Sequence, residues 1–355
     1  MRLADDDIYP TTLPPGYEFV IEDEPEFNPA VHLQLERPEN IWMLSDLGYD
    51  EKFISRFASP VAMTSAARML SDEGIAALAE VTRKLQPYIR YNSSATRVPA
   101  TLRGTTHRSR FIRDLCLSPE ITEFFSEMFQ TSLMPHTLTH QQGHMNFQPK
   151  ELGREVDSWH HDATAFDWVL MVHDPNKLKG GRFQIFDGTR QEGWDMVRSG
   201  QAIPEDRIIT PHFPGAGYAC FMQGCAVFHR ASRLEELGFR ASLVQSYVSR
   251  NVSVPDPNRL EWIELQDHHL EDPNYMLEYR CNPAEWARHR AWVAQKRLAN
   301  LCKDLQIGAT PAEAAAALEG AIDDVNDLIR ILHRGAVPLK EAYRLRDALD
   351  QAQLS

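Results

Sequence analysis

The chain has 355 residues, and 50 acidic against 37 basic side chains leave it with a formal net charge of −13. With no basic run able to neutralise a line of phosphates, nucleic acid is not an expected partner. A 43% hydrophobic and 25% charged composition is that of a globular protein, and no stretch approaches the roughly 18 to 20 apolar residues of a membrane span. The acidic start MRLADDDIYP lacks the basic and apolar parts of a secretory signal, so the cytoplasm is the expected location. Five cysteines without a close CxxC pair fit a reduced chain and exclude a zinc ribbon.

Residues 1–60 are broken by Pro10, Pro14, Pro15, Pro25, Pro29 and Pro38 and read as an extended arm. A helix is then expected over LSDEGIAALAEVTRKLQPYI, with Ser71 as N-cap and Pro87 as terminator. A second starts at Ser118, with Pro119 in its first turn. In HTLTHQQGHMNFQ the period becomes two, and an unbroken strand would put His136, Leu138, His140, Gln142, His144, Asn146 and Gln148 on one nearly all-polar face.

Short apolar runs follow: WVLMVH, FQIF, RIITPHF, YACFM, AVFH and SLVQSYV, separated by turn signals such as PNKLKGG and FPGAG. Their spacing predicts a mainly β core, a sandwich or a barrel. From Pro283 the pattern is helical again in three segments, the second opened by a capping box at Thr310 and Glu313. The expected organisation is an arm (1–60), a β domain with supporting helices (61–255) and a C-terminal helical extension (256–355) packed on the barrel, which also offers a face for a homodimer.

Most of the 14 histidines need no function. SWHHDA is different, because residues two apart on a strand share a side, so His160 and Asp162 aim an imidazole and a carboxylate at one point. Such a triplet is common by chance. Its weight comes from His229 at the end of AVFH, since two imidazoles and one carboxylate on one face of an octahedron are the arrangement of non-haem Fe(II) oxygenases. In GFRASLVQSY, Arg240 and Ser242 share a strand face, where a guanidinium fork and a hydroxyl can grip the distal carboxylate of 2-oxoglutarate.

The order SWHHDA, KGGRFQIFDGTR, PGAGYACFMQGCAVFHRAS, FRASLVQSY resembles the Fe(II)/2-oxoglutarate-dependent dioxygenase superfamily, nearest in style to its phytanoyl-CoA dioxygenase-like branch. The resemblance spans roughly residues 65–250. It implies a double-stranded β-helix, a jelly-roll or cupin-like barrel with flanking helices, in which His160, Asp162 and His229 hold iron and Arg240 with Ser242 binds 2-oxoglutarate. It implies O2 as the third reactant and oxidation of a substrate C–H bond, hydroxylation by default, with release of succinate and CO2. Asn146 and Gln148 are candidates to touch cosubstrate and His144 to touch substrate, with polar barrel filling as the alternative; Trp168 and Phe186 can wall the pocket or belong to the core.

A second register pairs His161 with Ala163. Superfamily members with Ala or Gly in place of the carboxylate leave room for halide and act as halogenases, but here that register leaves Asp162 without a use. Desaturation and cyclisation are further outcomes of the same cofactors. A non-catalytic cupin-like binding protein would be expected to have lost part of the constellation, and a 2-oxoglutarate-independent metal enzyme leaves Arg240 without an anion. The polar strand face favours a small polar substrate, an amino acid or natural-product intermediate of secondary metabolism, over a long acyl-CoA.

Overall fold

The computed structural model describes residues 8–10, 12–91, 97–258, 265–266, 273–334 and 337–338, with the side chains of 265–266, 273–281 and 337–338 left aside. These form two compact units, one of residues 17–136 with 140–250, the other of residues 1–16, 137–139 and 251–355.

The first unit is built on strands β1 (Ile41–Met43), β2 (Val61–Thr64), β3 (Ala67–Arg68), β4 (Arg90–Tyr91), β5 (Ala100–Leu102), β6 (Leu133–Pro135) and β7 (His144–Phe147). They are followed by β8 (Glu155–His160), β9 (Phe166–Met171), β10 (Phe183–Phe186), β11 (Ile208–Ile209), β12 (Tyr218–Met222), β13 (His229–Arg233) and β14 (Ala241–Ser249). Its helices are α1 (Pro29–His32), α2 (Glu51–Ile54), α3 (Asp72–Leu85), α4 (Arg110–Cys116), α5 (Pro119–Met128) and α6 (Arg190–Arg198). A ten-stranded sheet runs β1-β2-β12-β9-β14-β7-β5-β4, with β3 beside β12 and β6 beside β14; a four-stranded sheet runs β11-β10-β13-β8. Every ladder in both is antiparallel.

The period of two sorts the large sheet into faces with different work. Met145, Phe147, Trp168, Leu170, Leu243 and Tyr247 pack into one core with Leu78 and Val81 of α3, Phe111 of α4 and Phe125 of α5. Each such side chain removed from water stabilises the fold by roughly 1.5 to 3 kcal/mol. Their sequence neighbours His144, Asn146, Val169, Ser242 and Val244 point the other way and line a cavity shared with residues of the small sheet. Helices therefore cover one face and leave the other for ligands.

The helix expected from Ser71 is α3, with the Ser71 hydroxyl accepting from the Gly74 amide at 3.0 Å and Pro87 in a 3-10 turn beyond its end. Ser118 likewise caps α5. Two expectations are corrected. HTLTHQQGHMNFQ is not one strand: after β6 a 3-10 turn at Thr139–Gln141 and Gly143 at φ 60 redirect the chain before β7 begins. The Gln142 side chain is consumed there, donating to the His136 carbonyl at 2.6 Å, so the polar run closes a turn rather than forming a continuous inward face. AVFH is not a strand that ends on histidine either, because β13 begins at His229 and the preceding residues belong to a loop.

In the second unit, α7 (Pro273–Asp304) and α8 (Pro311–Arg334) pack together around Leu138, Trp286 and Leu328. The Thr310 and Glu313 capping box is present, with Thr310 N donating to Glu313 Oε2 at 2.8 Å and Glu313 N to Thr310 Oγ1 at 3.2 Å. Buried Asp256 takes His289 Nε2 at 2.8 Å and the Arg290 guanidinium. The third expected C-terminal helix lies outside the described residues. No helix among the described residues is long and apolar enough to cross a membrane.

Candidate active site

His160 closes β8 and His229 opens β13, and the two are cross-strand partners in the antiparallel register. Their rings lie 4.1 Å apart between centroids. Each is oriented by a backbone carbonyl at Nδ1: Ser158 O at 2.6 Å from His160 and Val227 O at 3.0 Å from His229. An Nδ1–H donated to a carbonyl leaves the Nε2 lone pair free to ligate, the tautomer a metal needs.

Asp162 lies just beyond β8, tied down by its amide donating to Gly224 O at 2.9 Å. Its carboxylate sits between the histidines, with Oδ1 3.4 Å from His160 Nε2 and Oδ2 3.5 Å from His229 Nε2. The three offer one ligand atom each within 4.8 Å of one another, a spacing that can close on a single ion. Burial pushes the Asp162 carboxyl up, but His229, His160 and Arg97 together hold it well below the usual carboxylate range. Burial and the neighbouring His160 bring His229 down to about 4, so both groups are in ligating form at neutral pH.

The loop between β12 and β13 is pinned from outside. The Tyr49 hydroxyl donates to Ala226 O at 2.6 Å, and Arg190 at the start of α6 donates to Cys225 O at 2.7 Å. Gly224 is required at its place: a Cβ there would lie 2.5 Å from Asp167 Oδ2 and 2.6 Å from Asp162 Oδ2. Asp167 itself is buried, bonded by the Thr164 and Ser246 hydroxyls, and raised well above the carboxylate range by burial and by Asp162.

His161 faces away from this centre. Its Nδ1 accepts the Trp194 indole N–H at 2.7 Å, which leaves the His160 and Asp162 register as the one whose side chains converge with His229.

Across the cavity, Arg240 is 1% exposed, and burial lowers its guanidinium to about 10. Its amide donates to Gln148 Oε1 at 2.7 Å and its Nε to Gly181 O at 3.0 Å. Gly181, at φ 63, lets that strand approach, since a Cβ there would stand 3.2 Å from Arg240 Cδ. Ser242 and Asn146 are direct cross-strand neighbours beside it, and both line the cavity.

Three buried polar atoms in this cavity have no hydrogen-bond partner among the described residues: His160 Nε2, Asn146 Oδ1 and Arg240 Nη1. Such atoms are costly unless something satisfies them. A metal ion answers the first, and a carboxylate on a bound small acid answers the guanidinium, so the donor set fits both iron and 2-oxoglutarate.

Not every expected residue reaches the cavity. His144 and Asn146 line it, with His144 held well below the usual imidazole range by burial and the nearby Arg103. Gln148 instead holds the Arg240 backbone. Trp168 has the opposite strand parity to Val169 and lies in the helix-covered core, its indole N–H donating to Tyr247 at 3.3 Å. Phe186 is on the far side of β10 from Phe183, edge-on to Phe228 with Arg207 over its ring.

Among the lining residues that sequence reasoning did not name, Arg97 and Asp157 stand against His160 and Asp162. Arg97 Nε donates to Asp157 Oδ1 at 2.9 Å, and its Nη2 lies 3.3 Å from Asp162 Oδ1. Asp157 Oδ1 is also 3.4 Å from His160 Nδ1, so one guanidinium braces the surroundings of two triad members. Neither had a usable signal: a regular strand would put Asp157, three before His160, on the opposite face, and it joins the site where the β8–β13 register shifts by one residue, whereas Arg97 sits in a loop far away in sequence.

A model of the halogenase D family matches residues 57–256, more than half of the chain, and a comparison with curated proteins finds no match. Among solved structures, the non-heme alpha-ketoglutarate-dependent epimerase SnoN of nogalamycin biosynthesis is 18% identical, covering 58% of this chain and 82% of its own at a TM-score of 0.39. EctD from S. alaskensis, solved with 2-oxoglutarate and 5-hydroxyectoine, is 13% identical over 69% of this chain and 87% of its own at a TM-score of 0.40. AviO1 from Streptomyces viridochromogenes Tue57 is 15% identical over 57% of this chain and 96% of its own at 0.41.

Proposed function

Because the chain belongs to the halogenase D family, and with it to the Fe(II)- and 2-oxoglutarate-dependent oxygenases, we propose that this member hydroxylates a C–H bond of a small polar substrate rather than halogenating it. The carrying observation is the Asp162 carboxylate between His160 and His229. In a halogenating relative that space is left for halide by Ala or Gly; a carboxylate in the same place fills it.

In this reading the two sheets make a double-stranded β-helix, and His160, Asp162 and His229 are the iron ligands. Arg240 and Ser242 hold the distal carboxylate of 2-oxoglutarate, with Asn146 beside them. Bound Fe(II) and 2-oxoglutarate supply the oxidising power, drawn from O2 with release of succinate and CO2. What the chain contributes is placement. The carbonyls of Ser158 and Val227 keep the imidazoles in ligating tautomer, Gln148 and Gly181 aim Arg240, and Val169, Phe183, Met222 and Val244 give the cavity its dry wall.

The polar wall supports a small substrate bearing both charges, such as an amino acid or a natural-product intermediate of that kind. Arg97 and Arg230 offer guanidinium groups, Asp157 a carboxylate and His144 a neutral imidazole along the same cavity. A compact zwitterion finds complementary groups there, whereas a long acyl chain would lie along charged side chains.

Anaerobic titration with Fe(II) and 2-oxoglutarate tests the assignment without a substrate. The wild-type protein should develop a weak visible charge-transfer band, and Asp162→Ala should lose tight Fe(II) binding. No band in folded wild-type protein would refute the site.

A further inference from the structure

We propose that Thr164, Asp167 and Ser246 form a buried hydrogen-bonded anchor that sets the place of the Asp162 carboxylate, which makes Asp167 a positioning residue of the metal centre. The inference rests on the reading of Asp162 as a metal ligand. His160 and His229 belong to paired strands, whereas Asp162 lies in residues 161–165, between the end of β8 and the start of β9. Its amide reaches Gly224 O at 2.9 Å, which fixes the backbone but not the carboxylate. A ligand carried outside the ladders depends on side chains around it for its direction.

That support comes from the large sheet. Two residues after Asp162, the buried Thr164 hydroxyl donates to Asp167 Oδ1 at 3.0 Å and to its Oδ2 at 3.1 Å. Asp167, 1% exposed, also accepts from the hydroxyl of Ser246, its direct partner across the β9–β14 ladder. On its other side Asp167 is paired with Met222 of β12. The carboxyl that holds Thr164 is thus fastened to strands on both sides.

A carboxyl brings two oxygens on one short side chain, so Asp167 can take both hydroxyls and still present Oδ2 toward Asp162. The two acids flank one point: a Cβ on Gly224 would stand 2.5 Å from Asp167 Oδ2 and 2.6 Å from Asp162 Oδ2. Asp167 therefore stands beside the carboxylate that lies between His160 and His229. Burial and Asp162 both push the Asp167 carboxyl up, so an acid is kept here against a penalty that an apolar side chain of similar size would not meet. What the acid supplies is a pair of fixed hydroxyls, one of them on the segment that carries Asp162.

Anaerobic Fe(II) affinity and the visible band of the Fe(II) and 2-oxoglutarate complex, measured beside thermal melts of the metal-free protein, test the anchor. Thr164→Val keeps the side-chain size and removes the donor. It should weaken Fe(II) binding by about ten- to a hundred-fold and displace the band, the usual effect of losing a group that orients a ligand. Asp167→Ala should do the same, whereas Thr164→Ser and Asp167→Asn, which keep a hydroxyl donor and an acceptor oxygen, should bind Fe(II) nearly as the wild type does. Where Asp167→Ala fails to fold, Thr164→Val decides. A merely structural knot would lower the melting midpoint of Thr164→Val and leave its Fe(II) affinity and band as in the wild type, and that result would overturn the proposal. So would an Asp167→Asn variant as impaired as Asp167→Ala. Failure of the metal assignment looks different: the folded wild-type protein would then show neither tight Fe(II) binding nor a band, and the anchor would fall with it.

Discussion

Asp162 and Arg240 do opposite things with charge in the same cavity. The carboxylate is overdetermined by cations and imidazoles, whereas the guanidinium is buried with one nitrogen lacking a partner among the described residues. Removing Arg240 should therefore be felt by the cosubstrate and not by the metal. Arg240→Ala should raise the 2-oxoglutarate concentration needed for half-maximal succinate release roughly thirty-fold, the equivalent of about 2 kcal/mol for a hydrogen bond to a charged group, with Fe(II) affinity unchanged. Arg97 makes the reverse case, since it touches Asp162 and braces Asp157. Arg97→Met should weaken Fe(II) binding by about ten- to a hundred-fold, measured calorimetrically, the usual cost of losing a group that orients a ligand. The pairing of His160 with Asp162, and of Arg240 with Ser242, was legible in the sequence because residues two apart on an extended chain share a side, although Asp162 and Arg240 lie just outside β8 and β14. Arg97 was not, because only the fold brings its loop to the site.

At the scale of elements, short apolar runs and caps were readable wherever a single period held. Ser71, Ser118 and Thr310 start helices as their side-chain oxygens require. The polar run from His136 to Gln148 was misread because its side chains bond to local backbone, a competition that alternation alone does not reveal. Parity, in contrast, explains Trp168 and Phe186 after the fact: Trp168 is one residue from cavity-lining Val169 and Phe186 three from cavity-lining Phe183, odd offsets that put each on the opposite strand face. The loop before β13 carries a sharper demand, a glycine wedged between two carboxylates. Gly224→Ala should displace Asp162 and weaken Fe(II) affinity at least tenfold, on the scale of other supporting contacts. Unaltered affinity would mean that the loop yields instead.

Across the whole molecule, buried neutral imidazoles tie stability to pH. Burial lowers both His173 and His229 from 6.5 to about 4. Between those values the unfolded chain binds protons that the native state refuses, so stability rises with pH through this window. The metal-free protein should hold its full share above about pH 6.5 and lose it progressively toward pH 4, on the order of 3 kcal/mol for each fully buried group. Thermal melts of metal-free protein from pH 7 to pH 4.5 should show a falling midpoint, and a flat profile would indicate that these imidazoles reach water.

The most direct measurement is the mass of the product formed from a panel of amino acids and small polar acids with Fe(II), 2-oxoglutarate and O2, in buffer containing chloride. The account predicts succinate release coupled to a product heavier by one oxygen atom, absent in Asp162→Ala. A chlorinated product from the wild-type enzyme, or oxygenation that survives loss of the Asp162 carboxylate, would contradict it.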